Sequence, residues 1–291
     1  MTAPSRVKPG RSRARLWVAA ALLGLSGCHG AGETTDQLVP RGFRGNPWGP
    51  QANAMRERGE IPTVPNNPDM ASWDAWGKEN LHDGDILLRL GDARAAMGLL
   101  PFSKLSAAIA GSRFSHSGIV AREGRELVVY DTTTTGPQRQ PFPIWLLDAR
   151  GSFAVKRPKP EYQAQAPRAV EFCRAAYLKQ VPFDYGMKLG DEKLYCIELT
   201  ERAYQTSGVP LSKALRLDEL PRYRDYPKLV RLLKLATPMV PEQRAYVIGN
   251  DSIGIWASPA LETVYDAPNG RPPGEIEPMI AGRPAIGSVR R

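Results

Sequence analysis

From Gly84 onward, short apolar runs of strand length alternate with segments whose apolar residues recur every three or four positions. Asp85–Leu90 (DILLRL) reads as a strand entered through a turn at Gly84. Met97–Ala110 is rich in small residues and reads as a helix ended by Gly111. Three β-prone runs follow, Ser117–Ala121, Leu127–Tyr130 and Phe153–Arg157, and Glu123-Gly124-Arg125 suits a hairpin turn between the first two. Pro167 precedes a predicted helix over Arg168–Lys179, where Val170, Cys173, Ala176 and Tyr177 share one face. A second predicted helix spans Cys196–Gln205. Its positions Cys196, Leu199, Thr200, Ala203 and Tyr204 follow the i, i+3, i+4, i+7, i+8 pattern, and Gly208 and Pro210 stop it. Lys228–Leu235 reads as a short basic amphipathic helix. The whole predicts an α+β domain, a small and mostly antiparallel sheet packed with helices, without internal repeats.

The flanks differ. Residues 29–70 are rich in Gly, Pro, Asn and charge with no sustained apolar period, and the tail from Ala267 is again Pro/Gly-rich. The expected layout is therefore a tether over residues 28–71, a folded unit over 72–266 beginning near Trp73 and Trp76, and a loose tail over 267–291. A chain of 291 residues with 42% hydrophobic composition is enough for one good core plus such tethers.

Charge changes the picture less than its total suggests. The formal net charge is +9, but five of the 39 basic residues precede Cys28 and no acidic residue does. Without that segment 34 basic residues face 30 acidic ones, which removes the main support for nucleic acid as a partner. The basic cluster, Arg6 to Arg15, is followed by the apolar run Leu16–Leu25. That run is about half the roughly 20 residues a spanning helix needs, so residues 1–27 read as a signal peptide. The run ends in Leu25-Ser26-Gly27-Cys28, which resembles the bacterial lipobox. The resemblance implies cleavage before Cys28, its lipidation and a membrane as partner. His29 in place of Asp implies, by the Gram-negative sorting rule, the periplasmic face of the outer membrane.

The candidate chemistry is thiol chemistry. There is no paired-cysteine zinc spacing, no His-Glu-x-x-His, no Walker loop and no Gly-x-Ser-x-Gly elbow. A nucleophilic thiol needs support for its charge and a base within reach. Cys196 opens a predicted helix, whose N-terminus carries partial positive charge and N–H groups able to hold an oxyanion. Of three histidines, His29 lies in the tether and His82 in a turn-like stretch, while His116 begins a predicted strand. Asp131 ends the next strand, where a hairpin brings it beside His116; its alternative is an ordinary strand-end or Asx-turn residue. Tyr195 lines the substrate or oxyanion region or simply packs. Cys173 has the phase of a core residue, and a Cys173–Cys196 disulfide, open to an exported protein, would silence the nucleophile. Asp184 reads as a structural acceptor.

In order and spacing these segments resemble the circularly permuted papain-like amidases of the YiiX/YaeF type, within the NlpC-like cysteine hydrolases. The pieces are Gly84–Leu88, Ser115–Val120, Val129-Tyr130-Asp131, Pro182–Tyr185, Tyr195–Leu199 and Ser258–Leu261, together spanning about Gly84–Pro268. Two positions depart from the pattern: the third catalytic group, often Glu, is Asp131, and the Ser common after the nucleophile is Ile197. The resemblance implies a permuted papain-like fold and an acyl-enzyme hydrolase using Cys196, His116 and Asp131, with no metal or organic cofactor. It implies substrates among acyl-amides, lipid-linked amides or cell-wall peptides. The apolar Met97–Phe102 stretch lines an acyl site or belongs to the core. The rival readings are a cell-wall endopeptidase, an acyltransferase, and a catalytically silent ligand-binding lipoprotein.

Overall fold

A computed structural model describes residues 43, 45–61, 68–91, 93–94, 101–149, 152–190 and 192–267. The signal segment, Cys28, residues 97–100 of the Met97–Phe102 stretch and the tail beyond 267 lie outside the described residues.

The frame is a six-stranded sheet: β1 (Ile86–Arg89), β2 (His116–Glu123), β3 (Glu126–Thr133), β4 (Gly136–Pro141), β5 (Phe153–Pro158) and β8 (Leu261–Ala267). Their order is β4-β3-β2-β1-β5-β8, and every neighbouring pair is antiparallel. A separate two-stranded ribbon pairs β6 (Leu215–Arg216) with β7 (Arg244–Ala245). The helices are α1 (Pro50–Glu57), α2 (Pro68–Asn80), α3 (Phe102–Ala110), α4 (Phe142–Leu147), α5 (Ala166–Lys179), α6 (Cys196–Thr206) and α7 (Pro227–Ala236). The mixed helical and antiparallel character agrees with the α+β expectation.

The strands are covered on both faces, which is why they read as near-continuous apolar runs rather than alternating ones. On one face Ile86, Leu88, Ile119, Val128 and Tyr130 pack against α5 and α6. On the other, Leu87, Val120, Val129 and Phe153 pack against Trp73 and Trp76 of α2 and Phe142 and Trp145 of α4. Gly84 joins strand to helices. Its φ of +83° suits glycine, and a Cβ there would meet the Ala166 Cβ at 2.4 Å. Its carbonyl accepts the Tyr204 hydroxyl.

The hairpin turn falls at Gly124-Arg125, within the predicted segment. The helix α3 starts at Phe102, five residues after its predicted start. The tether expectation is corrected for residues 45–61, which are folded onto the domain. Trp48 is buried beside Ile144 and Leu147. The Arg56 guanidinium lies 3.8 Å from the centre of the Trp48 ring. The Asn53 amide donates to the carbonyls of Trp48 and Arg139 and to the Tyr177 hydroxyl. One aromatic anchor and a set of polar bonds hold this segment, and neither leaves an apolar period in the sequence.

Replacing Trp48 with Ala should therefore cost about 3 kcal/mol or more of unfolding free energy. Urea denaturation of the purified chain checks this: the midpoint falls if residues 45–61 belong to the cooperative unit and stays put if they are only a tether.

Candidate active site

Three strands and one helix converge at one end of the sheet. Arg89 closes β1 and pairs in register with His116, which opens β2. Asp131 follows Tyr130 in β3, whose partner in β2 is Ile119, so Asp131 sits across from Gly118. His116 and Asp131 are thus diagonal neighbours on the same face. Gly118 makes that approach possible: a Cβ there would come within 2.6 Å of the Val129 Cγ1 and 3.3 Å of the Asp131 Cβ. Any side chain at 118 presses on the strand that carries the carboxylate.

The Asp131 carboxylate is fully buried, and one oxygen, Oδ2, takes two bonds. His116 Nε2 lies 2.7 Å from it, and the Trp145 indole N–H donates to it at 2.8 Å. The Trp145 ring also stacks on the imidazole, with centroids 6.0 Å apart and planes 29° from parallel. Arg89 completes the buried cluster. Its guanidinium lies 3.9 Å from Asp131 and 3.5 Å from Asp148, covers the Trp145 ring at 4.1 Å and donates to the Trp145 carbonyl.

Cys196 arrives from the opposite face as the first residue of α6, with Tyr195 extended before it. The turn is pinned from several sides. The Ser117 and Thr200 hydroxyls lie 2.9 Å apart and each lies 3.3 Å from the Cys196 carbonyl, so one hydroxyl donates to the other, which in turn donates to the carbonyl. Upstream, Phe183 and Leu194 form a parallel bridge. The Asp184 carboxylate accepts the N–H groups of Gly186 and Lys188. The thiol lies half-buried, 4.0 Å from the Ser115 carbonyl, and near enough to His116 for its charge to act on the imidazole. Since Nε2 is engaged by Asp131, Nδ1 is the ring nitrogen left for the sulfur.

The electrostatics follow from these contacts. Burial disfavours the imidazolium, but the negative charge of a Cys196 thiolate and the hydrogen bond to Asp131 outweigh burial and the nearby Arg89, holding the His116 pKa up at about 9. Two residues past the sulfur, burial raises the Glu198 carboxyl to about 7 against the opposing pull of the Gly190 N–H and Arg202. Cys173 is a free thiol like Cys196, so no bridge consumes the sulfur, and burial pushes the Cys173 thiol well up.

The structure therefore brings Cys196, His116 and Asp131 together. Tyr195 is placed differently from a substrate-facing residue. Its side chain is fully buried, and its hydroxyl accepts the Tyr246 N–H at 2.6 Å. That anchors the helix start and leaves only the backbone at 195 near the site. Asp184 is the structural acceptor expected of it. Trp145, Arg89, Ser117 and Thr200 were not anticipated; the one visible signal was Arg89, a charge inside an otherwise apolar strand.

The profile of a permuted papain-like amidase family, described as YaeF/YiiX, C92, matches residues 80–265, well over half of the chain. The chain belongs to this family. It is accordingly a cysteine amidase/hydrolase of permuted papain-like fold. Among solved structures, the yiiX metalloprotein of Escherichia coli O157:H7 is similar at 19% identity with a TM-score of 0.50, over 63% of this chain and 96% of that one. At that identity the likeness speaks for the fold alone. Among the described residues of the present chain no group of three or more His, Cys, Asp or Glu is placed to hold a metal ion. No curated protein shows significant similarity to the chain.

Because Asp131 helps hold the His116 proton, Asp131→Asn should let it go at lower pH. The alkaline limb of amide hydrolysis, expected near the His116 value of about 9, then moves toward neutrality in a pH–rate profile. An unmoved limb would separate Asp131 from the titration.

Proposed function

We propose that the chain cleaves amide bonds through an acyl-enzyme formed on Cys196, with His116 as acid and base and Asp131 as its orienting group. The observation that carries this reading is the chain of contacts from a helix-opening thiol to an imidazole to a buried carboxylate. His116 Nδ1 takes the Cys196 proton, and the thiolate attacks the amide carbonyl. The Cys196 N–H, which at the first helical position has no intrahelical acceptor, stabilises the oxyanion. His116 returns its proton to the departing amine as the carbon–nitrogen bond breaks. Water, deprotonated by the neutral imidazole, then attacks the thioester and releases the acid and the thiol. Asp131, held by Trp145, keeps the ring turned toward the sulfur throughout.

The same reading places the enzyme in a bacterial envelope, anchored by lipid on Cys28 at the periplasmic face of the outer membrane. It takes small acyl-amides or lipid-linked amides as substrates. The basic run, apolar run and lipobox in that order support the anchor. An anchored enzyme meets lipid-embedded substrate in its own plane, which favours the acyl-amide class over soluble peptides.

Iodoacetamide should label Cys196 quickly near neutral pH, and His116→Ala should slow labelling and cut hydrolysis by about 10² to 10⁴-fold. Incubation with an envelope extract, followed by intact-mass analysis, should show an adduct on the wild-type chain that is missing from Cys196→Ala. Labelling indifferent to His116 would contradict the catalytic pair. An adduct whose acyl group passes to an added amine rather than to water would make the enzyme an acyltransferase.

A further inference from the structure

One exposed surface next to the site combines apolar and cationic side chains. In α7, Lys228, Arg231, Leu232 and Leu235 stand at i, i+3, i+4 and i+7 and so share a single face. That face points to water: Leu232 is 44% exposed and Leu235 72%. The opposite side of the helix is the packed one, where Val230 joins Ile109, Leu220 and Val247. The helix holds three cations, Lys228, Arg231 and Lys234, and no acidic residue. The acid just before it, Asp225, is paired with Arg222 at 3.1 Å.

The surface extends toward the nucleophile. The segment after α7 carries exposed Val240, and the Gln243 amide donates to the carbonyls of Gly186 and Met187 at 2.6 and 3.1 Å. The loop so tied carries exposed Tyr185, Lys188 and Leu189. It then runs to Gly190, whose N–H bonds Glu198 in the first turn of the Cys196 helix. Five of the seven large hydrophobic side chains exposed among the described residues belong to these two tied segments, so the exposure is concentrated rather than scattered.

We infer that this face, α7 with the 185–190 loop, docks on an anionic lipid bilayer and turns the mouth of the active site toward it. The leucines enter the interface while the flanking lysine and arginine side chains reach lipid phosphates, the arrangement of an interfacial amphipathic helix. Charge complementarity selects the occupant: a face with cations and no acid on its helix suits anionic lipid rather than a zwitterionic surface. Docking itself does not depend on the catalytic proposal; the orientation of the mouth toward substrate does.

The test is hydrogen–deuterium exchange on the full chain, in solution, with phosphatidylcholine vesicles and with vesicles containing phosphatidylglycerol. The readout is local, so binding through the N-terminal segment does not obscure it. Slowed exchange confined to 185–190 and 227–240 on the anionic vesicles alone is the expected result. Each cation near an anionic surface is worth about fivefold in affinity, so Lys228→Gln/Arg231→Gln/Lys234→Gln should weaken docking by about a hundredfold and abolish that protection. Leu235→Asp, at a position too exposed to disturb the fold, should also reduce it. Unchanged exchange in these peptides on anionic vesicles overturns the inference. So does protection that survives both variants, or protection that appears without vesicles as protein concentration rises, which would assign the face to a second copy of the chain. Amide hydrolysis is measured separately, so failed docking and failed catalysis are told apart.

Discussion

Everything in the site depends on one buried hydrogen bond, from His116 Nε2 to Asp131 Oδ2 at 2.7 Å. A fully buried carboxylate is costly unless it is paired, and this one is met by the imidazole, the Trp145 indole and the Arg89 guanidinium. Those partners leave the imidazole one orientation. Nε2 faces inward, so the other ring nitrogen faces the sulfur at the start of α6. Gly118 leaves room for this pairing, since a Cβ there would come within 3.3 Å of the Asp131 Cβ.

The sheet explains why such a contact can be held. Strands covered on both faces hold His116 and Asp131 rigidly, and the helices on either face meet only at the strand ends. Cys196 comes from one face and the Trp145 and Arg89 cluster from the other, so the site is the seam between two cores. The Ser117–Thr200 pair on the Cys196 carbonyl locks the helix to the strand carrying the histidine. A shift of either layer would pull sulfur from imidazole, and that coupling is what the packing resists.

Much of this was legible in the chain. The runs DILLRL, GIVA and LVVY announce strands because burial on both sides removes any need for polar alternation. The phase of Leu199, Thr200, Ala203 and Tyr204 announces α6, and the phase of Cys173 places it in the core. Other parts were hidden for physical reasons. The edge strand β4, GPQRQP, is polar and carries prolines at positions an edge tolerates. Helix α4, FPIWLL, is buried all round and so shows no period, which concealed Trp145. Trp48 and Asn53 fasten residues 45–61 through single contacts rather than a repeating face.

The central claim is that the Cys196 sulfur lies close enough to the His116 imidazole to hold its proton. Nitrogen-15 NMR of the His116 ring across the pH range tests it most directly. The imidazole should stay protonated to about pH 9 in the wild-type chain, and Cys196→Ala should bring its titration down, because the thiolate is the strongest of the influences raising it. A ring that titrates at the same pH with and without the sulfur would contradict the account.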